Sequence, residues 1–337
     1  MPGSENSSMF QENNPKISIL CPVKNVTPHI EEMIKSVLSQ TFKDWELIIM
    51  DGASTDGTVK TIMDYAKKDK RIRAYSEPDE SPWHAVDKMF DLAKGEFVTI
   101  VCGQDGFNNN EWLEKAAEVL KNDRDLSLVW ALGQGVTLDK KVIDEPDAYS
   151  HFMGESKGET AKNLSSKILR TFKDLVFGSW QRKRYVFGKL FSRNAFLAIN
   201  TFTKRTFPDG KPPQKEDWFV YWLNNGMVFP DQSMIVSKKV FLNCIPRYEI
   251  GSKTLGYMTD FFYNFNSKGY LAYFIPMYAT FGRMHEGASG ERGSDEMYQN
   301  SQKYLNDVRL FRKNLLKNHQ KFPFINKDGQ IVSSKQF

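Results

Sequence analysis

The sequence predicts an α/β protein built on a mostly parallel sheet. Three observations predict it. Short apolar runs of strand length alternate with segments whose apolar residues recur at helical spacing. The runs stop at Pro, Gly or Asp, the residues that turn a chain. The composition, 40% hydrophobic over 337 residues, suffices to bury a core on both faces of such a sheet.

Ile17 to Cys21 is an apolar run halted at Pro22 and reads as a buried strand. Thr27 as a cap and Pro28 at the first helical position open a helix. Its face is Ile30, Met33, Ile34, Val37 and Leu38. Leu47 to Met50 is the next strand, ended by Asp51-Gly52. Val59, Ile62, Met63 and Ala66 form a second helical face, and Ile72 to Tyr75 a short strand. Val86, Met89 and Phe90 suit a third helix. Phe97 to Val101 follows as a strand, and Trp112, Leu113, Ala116, Val119 and Leu120 as a helix. After about residue 135 the pattern weakens. Asp139 to Thr160 reads as a long polar loop, Phe187 to Phe196 as ordered, Trp218 to Leu223 as helix, and Tyr298 to Asn318 as a charged amphipathic helix. The expected organisation is a loose tail over 1–15, a main domain over 16–240 and a helical extension over 241–337. No internal repeat is present.

Charge and composition exclude several classes. A net charge of +5 is too weak to imply nucleic-acid binding. It suits phosphate-bearing substrates or an anionic lipid surface. Three cysteines far apart, with no CxxC pair, fit a reducing compartment and no zinc site. Met1 to Asn14 is polar, without a signal-peptide pattern. No run of eighteen apolar residues suggests a membrane span. No GxGxxG follows a strand, which speaks against a dinucleotide-dependent reductase.

In parallel sheets ligands bind beyond the carboxyl ends of the strands. Three loops should open there: Pro22 to Asn25, Asp51 to Thr58 and Gly103 to Phe107. Asp51 ends a buried strand, where its carboxylate suits a nucleobase N–H. A βα turn in which Ser54, Thr55 or Asp56 caps the next helix explains the same stretch. Asp105 follows a buried strand and precedes Gly106, so it suits a metal at the sheet edge, or a simple turn. Glu216-Asp217 precede an aromatic helix, a position the helix dipole favours for acids. Arg283 and His285 suit phosphate or metal, though a lone His is more often structural.

Together these segments resemble the large inverting glycosyltransferase family 2, which has the GT-A fold. Pro22-Val23-Lys24-Asn25, Ser39-Gln40-Thr41 and the run from Asp51 to Thr58 carry the resemblance. So do Glu77-Pro78-Asp79, Trp83 to Met89, and Ala93-Lys94-Gly95-Glu96. His84 and Asp87 stand where an Asp and an Asn are usual. The resemblance implies donor binding by Pro22, Val23, Asn25, Asp51, His84, Asp87, Gln104 and Arg283. It puts Asp105 at the metal position, with Gln104 replacing the neighbouring acid. It puts His285 near the metal and diphosphate, and Asp217 at the general base.

The implied chemistry is a single inverting displacement. A Mn2+ or Mg2+ ion neutralises a nucleotide-sugar diphosphate while a carboxylate takes the acceptor's proton. The expected partners are a nucleotide-sugar donor and a glycan or lipid-linked saccharide acceptor, with no nucleic acid. The expected location is cytoplasmic. Two aromatic and basic clusters, Trp180 to Tyr185 and Arg309 to Lys317, suggest peripheral contact with the inner membrane face or, equally, solvated helix faces. The rivals are a nucleotidyltransferase, which would want a Gly-rich basic loop after the first strand, and a sugar-nucleotide-binding module without activity.

Overall fold

The computed structural model describes residues 15–142, 214–226, 231–245, 257–283 and 295–337. The tail read over Met1 to Asn14, most of the loop after Asp139, the segment Phe187 to Phe196 and the cluster Trp180 to Tyr185 lie outside them.

The first half alternates as expected. Strand β1 (Ile17–Val23) leads to helix α1 (Ile30–Leu38), β2 (Trp45–Asp51), α2 (Thr58–Lys68), β3 (Ile72–Ser76), α3 (Pro82–Leu92) and β4 (Phe97–Ile100). β1, β2 and β4 are buried at every residue, as a sheet covered on both faces requires. α1 buries Ile30, Met33, Ile34 and Val37, the face its spacing predicts. One detail differs: the Thr27–Pro28 bond is cis and α1 begins only at Ile30, so Pro28 is not its first residue. Ser81 caps α3 instead, accepting from His84 N–H, with Pro82 in its first turn.

The chain continues through β5 (Gly106–Phe107), α4 (Trp112–Asn122) and β6 (Leu126–Val136). Then come α5 (Glu216–Asn225), a 3-10 turn (Asp231–Ser233), β7 (Met234–Ser237), α6 (Lys238–Cys244), α7 (Tyr257–Ser267) and β8 (Leu271–Arg283). α8 (Asp295–Lys317) and a hairpin of β9 (Lys321–Ile325) and β10 (Ile331–Gln336) end it. The main sheet has eight strands in the order β3-β2-β1-β4-β7-β6-β8-β5. Its β3-β2-β1-β4 part is parallel, as is the β6–β8 pair; β7 and β5 run antiparallel to their neighbours. This is the expected GT-A architecture.

The region beyond residue 240 is not helical alone. The boundary read there falls inside α6, and β8 enters the main sheet beside β6, paired from Leu126–Leu271 to Val136–Arg283 with register shifts before Leu128, Leu132 and Gly133. β8 thereby carries the late Arg283 back to the edge where β4 ends. The hairpin folds under the opposite, amino-terminal edge, where Lys327 pairs with Glu96 just before β4. There Phe219 of α5 stacks on Phe322 at 4.4 Å and meets Phe324 edge-on at 5.3 Å. We expect Phe219→Ala to cost about 3–5 kcal/mol in urea unfolding, since a buried ring leaves a cavity among rings that cannot close it. Phe219→Leu should cost clearly less; equal losses would mean that volume is not what matters there.

Candidate active site

The parallel strands bring the first two loops together and lock them. Val23 pairs with Asp51 at the carboxyl ends of β1 and β2. Gly52 N–H donates to Val23 O at 2.9 Å. Asn25, at a φ of 52°, donates its N–H to Ser54 Oγ (2.7 Å) and accepts from Thr55 N–H on Oδ1 (2.9 Å). Asp56 accepts from Thr27 N–H and Thr58 N–H, which satisfies the first N–H of α2. The third loop packs on the first: a Cβ on Gly103 would stand 2.5 Å from Val23 Cγ1. Pro22, Val23, Asn25, Asp51 and the loop bearing Gln104 and Asp105 therefore share one edge.

Asp51 is fully buried and accepts from Ser54 N–H (2.9 Å), Ser54 Oγ and Ser76 Oγ (2.8 Å). Its carboxylate organises the turn at that edge. Beside it stands a second acid, from the Glu77-Pro78-Asp79 segment. The carboxylate of Asp79 lies over Gly52, where a Cβ would come within 2.6 Å of Oδ2. Partial burial pushes its carboxyl above the ordinary value; Lys24, Lys88 and His84 pull against that, and Asp51 adds to it. His84 accepts from Glu80 N–H on Nδ1 (3.3 Å) at the start of α3, and Asp87 sits one turn on.

Asp105 is 6% exposed. Its Oδ1 accepts the Arg283 backbone N–H at 2.8 Å, and its Oδ2 accepts from Gln232 Nε2. Gln232, in the 3-10 turn before β7, escaped the sequence reading because a lone amide beside a four-residue strand has no period to betray it. The Arg283 side chain is 2% exposed, and its guanidinium is engaged. Nη1 donates to Gln104 O, Nη2 pairs with Glu32 of α1, and Nε donates to Leu138 O at 3.3 Å. Arg283 thus ties the Asp105 loop to α1 and to the end of β6. Lys140 also pairs with Glu32 and lies 4.3 Å from the Phe281 ring. Burial disfavours the charge on Glu32, but the hydrogen bonds from Lys140 and Arg283 outweigh it and hold the carboxyl below its ordinary value.

Asp217 is not brought to this edge. Lys215 N–H donates to Ala272 O at 3.0 Å, near the start of β8. Asp217 itself is exposed and pairs with Lys335 of the hairpin at 3.1 Å. Ala272 pairs opposite Leu128 and Arg283 opposite Val136. At roughly 3.3 Å per residue, on the order of 25 Å of strand separates the two ends. Glu216 and Asp217 do open the helix α5, as their position in the sequence predicts, but that helix begins at the amino-terminal edge. A different acid, Asp260 in the first turn of α7, has its carboxyl raised by partial burial, with Lys303 opposing and Asp307 adding.

Among the described residues no three His, Cys, Asp or Glu side chains cluster as a metal site. His285 lies outside them. Asp105 therefore offers one carboxylate, a donor set that fits a Mn2+ or Mg2+ ion sharing its shell with phosphate oxygens and water, and not a closed protein cage.

A family model described as Glycosyl transferase family 2 matches residues 18–196, more than half of the chain. The chain is 35% identical over 107 residues to the putative teichuronic acid biosynthesis glycosyltransferase TuaG of Bacillus subtilis, covering 32% of this chain and 42% of that protein. It is 28% identical over 164 residues to a GalNAc(5)-diNAcBac-PP-undecaprenol beta-1,3-glucosyltransferase of Campylobacter jejuni, covering 44% and 53%. The chain spans about half the length of these relatives, or less. Among solved structures, S. aureus TarS 1-349 in complex with UDP-GlcNAc aligns with a TM-score of 0.49 at 15% identity, covering 87% of this chain and 66% of that one. The mannosyltransferase PcManGT of Pyrobaculum calidifontis in complex with GDP-Man and Mn2+ aligns with a TM-score of 0.48 at 13% identity, covering 91% and 75%.

The Glu32–Arg283 pair gives a pH test. A carboxyl held low contributes stability above its unfolded value, about 4.3 for Glu, and loses it as pH falls. We expect Glu32→Gln to lower the melting temperature at pH 7, with the gap closing as the pH is taken below that value. A gap independent of pH would mean that shape, not charge, is what the variant removes.

Proposed function

The chain belongs to glycosyl transferase family 2, and from that premise we propose that it moves a sugar from a nucleotide-diphosphate donor, with inversion, onto a hydroxyl of a glycan or lipid-linked saccharide. The observation that carries this reading is Asp105: a nearly buried carboxylate, beyond the end of β4, held at the edge where three loops converge. The proposed acceptor class follows the Campylobacter relative, whose name specifies an undecaprenol-linked saccharide.

Each group then has a task. Pro22, Val23 and Asn25 form the floor of the donor pocket, with Gln104 beside the ribose. Asp51 and the neighbouring Asp79 offer acceptors for a nucleobase N–H, and His84 and Asp87 on α3 line the sugar side. Asp105, with His285 in the segment after β8, would hold Mn2+ or Mg2+, which supplies charge neutralisation for the departing diphosphate. Arg283 keeps the Asp105 loop in place through its backbone N–H and its buried pairing with Glu32. The diphosphate then meets a carboxylate already oriented, so little reorganisation is needed as charge develops. The position of Asp217 beside Lys335 speaks against its taking the acceptor's proton.

Contact with an anionic membrane face is a further part of this reading. Phe311 and Leu315 of the basic cluster pack inward, while Arg309, Arg312, Lys313 and Lys317 remain exposed with Leu310 and Leu316. That combination supports attachment to an acidic lipid surface at the inner side of the membrane. Among the described residues no helix is long and apolar enough to cross a membrane.

A panel of nucleotide sugars, scored by thermal shift and donor hydrolysis with and without Mn2+, tests the reading. A UDP-sugar should stabilise the protein only with the cation. Asp105→Asn should remove that stabilisation and lower transfer on the order of 100-fold, the loss of several kcal/mol of charge stabilisation. Silence across the panel would refute the donor class. Asp217→Asn is expected to keep near-normal transfer; its loss in a folded variant would return that residue to the chemistry.

A further inference from the structure

The Arg283 backbone N–H fixes one oxygen of the Asp105 carboxylate; the other is held by a side chain. The Gln232 side chain reaches Asp105 Oδ2. The carboxylate of Asp105 only accepts hydrogen bonds when ionised, so the amide of Gln232 must present its NH2 and not its carbonyl. The opposite oxygen takes the Arg283 backbone N–H at 2.8 Å. Two donors, one on each oxygen, define the plane of the carboxylate.

Gln232 is itself held. The 3-10 turn that carries it is fixed by its last residue: Ser233 is fully buried and shares a hydrogen bond with the equally buried Thr280 of β8. Gly133 of β6 makes room for that pair, since a Cβ there would stand 3.2 Å from Ser233 Oγ and 3.3 Å from Thr280 Oγ1. Gly282 makes room for the amide, as a Cβ there would stand 3.0 Å from Gln232 Oε1 and 3.8 Å from Asp105 Oδ1. Strands β6 and β8 therefore form a wall shaped around one glutamine, aimed at one carboxylate.

We propose that Gln232 is a positioning residue for Asp105: it fixes the carboxylate in the orientation from which a divalent cation and the donor diphosphate are bound. This rests on the cation reading of Asp105. Partners that hold a metal-binding side chain govern metal affinity by about 10- to 100-fold. Removing the amide should cost that much while leaving the fold intact. Replacing it by an isosteric acid should do the opposite for the bare ion, because a second carboxylate is then placed beside the first.

The test is Mn2+ binding followed by electron paramagnetic resonance, and Mn2+-dependent UDP binding by calorimetry. The proteins are the wild type, Gln232→Ala, Gln232→Glu, Asp105→Asn and the double variant Gln232→Ala with Asp105→Asn, each with its melting temperature. Gln232→Ala should weaken Mn2+-dependent UDP binding about tenfold or more, and Gln232→Glu should bind Mn2+ alone about tenfold more tightly than the wild type. In the Asp105→Asn background, Gln232→Ala should add no further loss, which a purely structural role would not produce. If Asp105→Asn weakens binding while both Gln232 variants match the wild type, or if the Gln232→Ala loss persists undiminished in the double variant, this inference fails alone. If Asp105→Asn itself leaves Mn2+-dependent binding unchanged, the cation reading fails and this inference with it.

Discussion

The backbone N–H of Arg283 donating to Asp105 Oδ1 is the contact on which the candidate site depends. It joins the last residue of β8 to the loop after β4 and so closes the sheet around the carboxylate. A backbone donor cannot swing away as a side chain can. Its direction is fixed by the pairing of β8 with β6, which runs to Val136–Arg283. The site is therefore held by sheet register, and anything that slips β8 by one residue would turn the N–H away from Asp105.

The buried guanidinium of the same residue explains why it is arginine. A cation almost without solvent exposure is costly unless paired and hydrogen-bonded. Glu32, Gln104 O and Leu138 O supply the partners from three separate segments. One side chain thus fastens α1, the Asp105 loop and the end of β6, while its backbone holds the carboxylate. A residue expected to grip phosphate has its charge committed to fixing the frame that phosphate would meet.

The first half of this arrangement was legible in the sequence. β1, β2 and β4 are apolar runs with turn residues at their ends, and α1 and α4 bury the faces that their spacing predicts. Parallel strands then oblige the loops after β1, β2 and β4 to share an edge, so Pro22, Asn25, Asp51 and Asp105 follow. The second half was not. The pairing of β6 with β8 joins segments far apart in the chain, and no local period records it. Gln232 follows from that pairing, not from its neighbours. Asp217 shows the reverse error: a helix-start acid pair is visible locally, but which edge of the sheet the helix starts from is a tertiary fact, set by the contact of Lys215 with Ala272.

Asp105, at the carboxyl edge, is proposed as the place where a cation and a nucleotide diphosphate meet. A crystal of the chain grown with UDP and Mn2+, measured at the manganese absorption edge, locates the cation without assuming its ligands. One anomalous peak is expected within coordination distance of an Asp105 carboxylate oxygen, with the base lying toward Asp51. A peak elsewhere with Asp105 still bound to Gln232, or UDP seated at the amino-terminal edge beside Asp217 and Lys335, would contradict it.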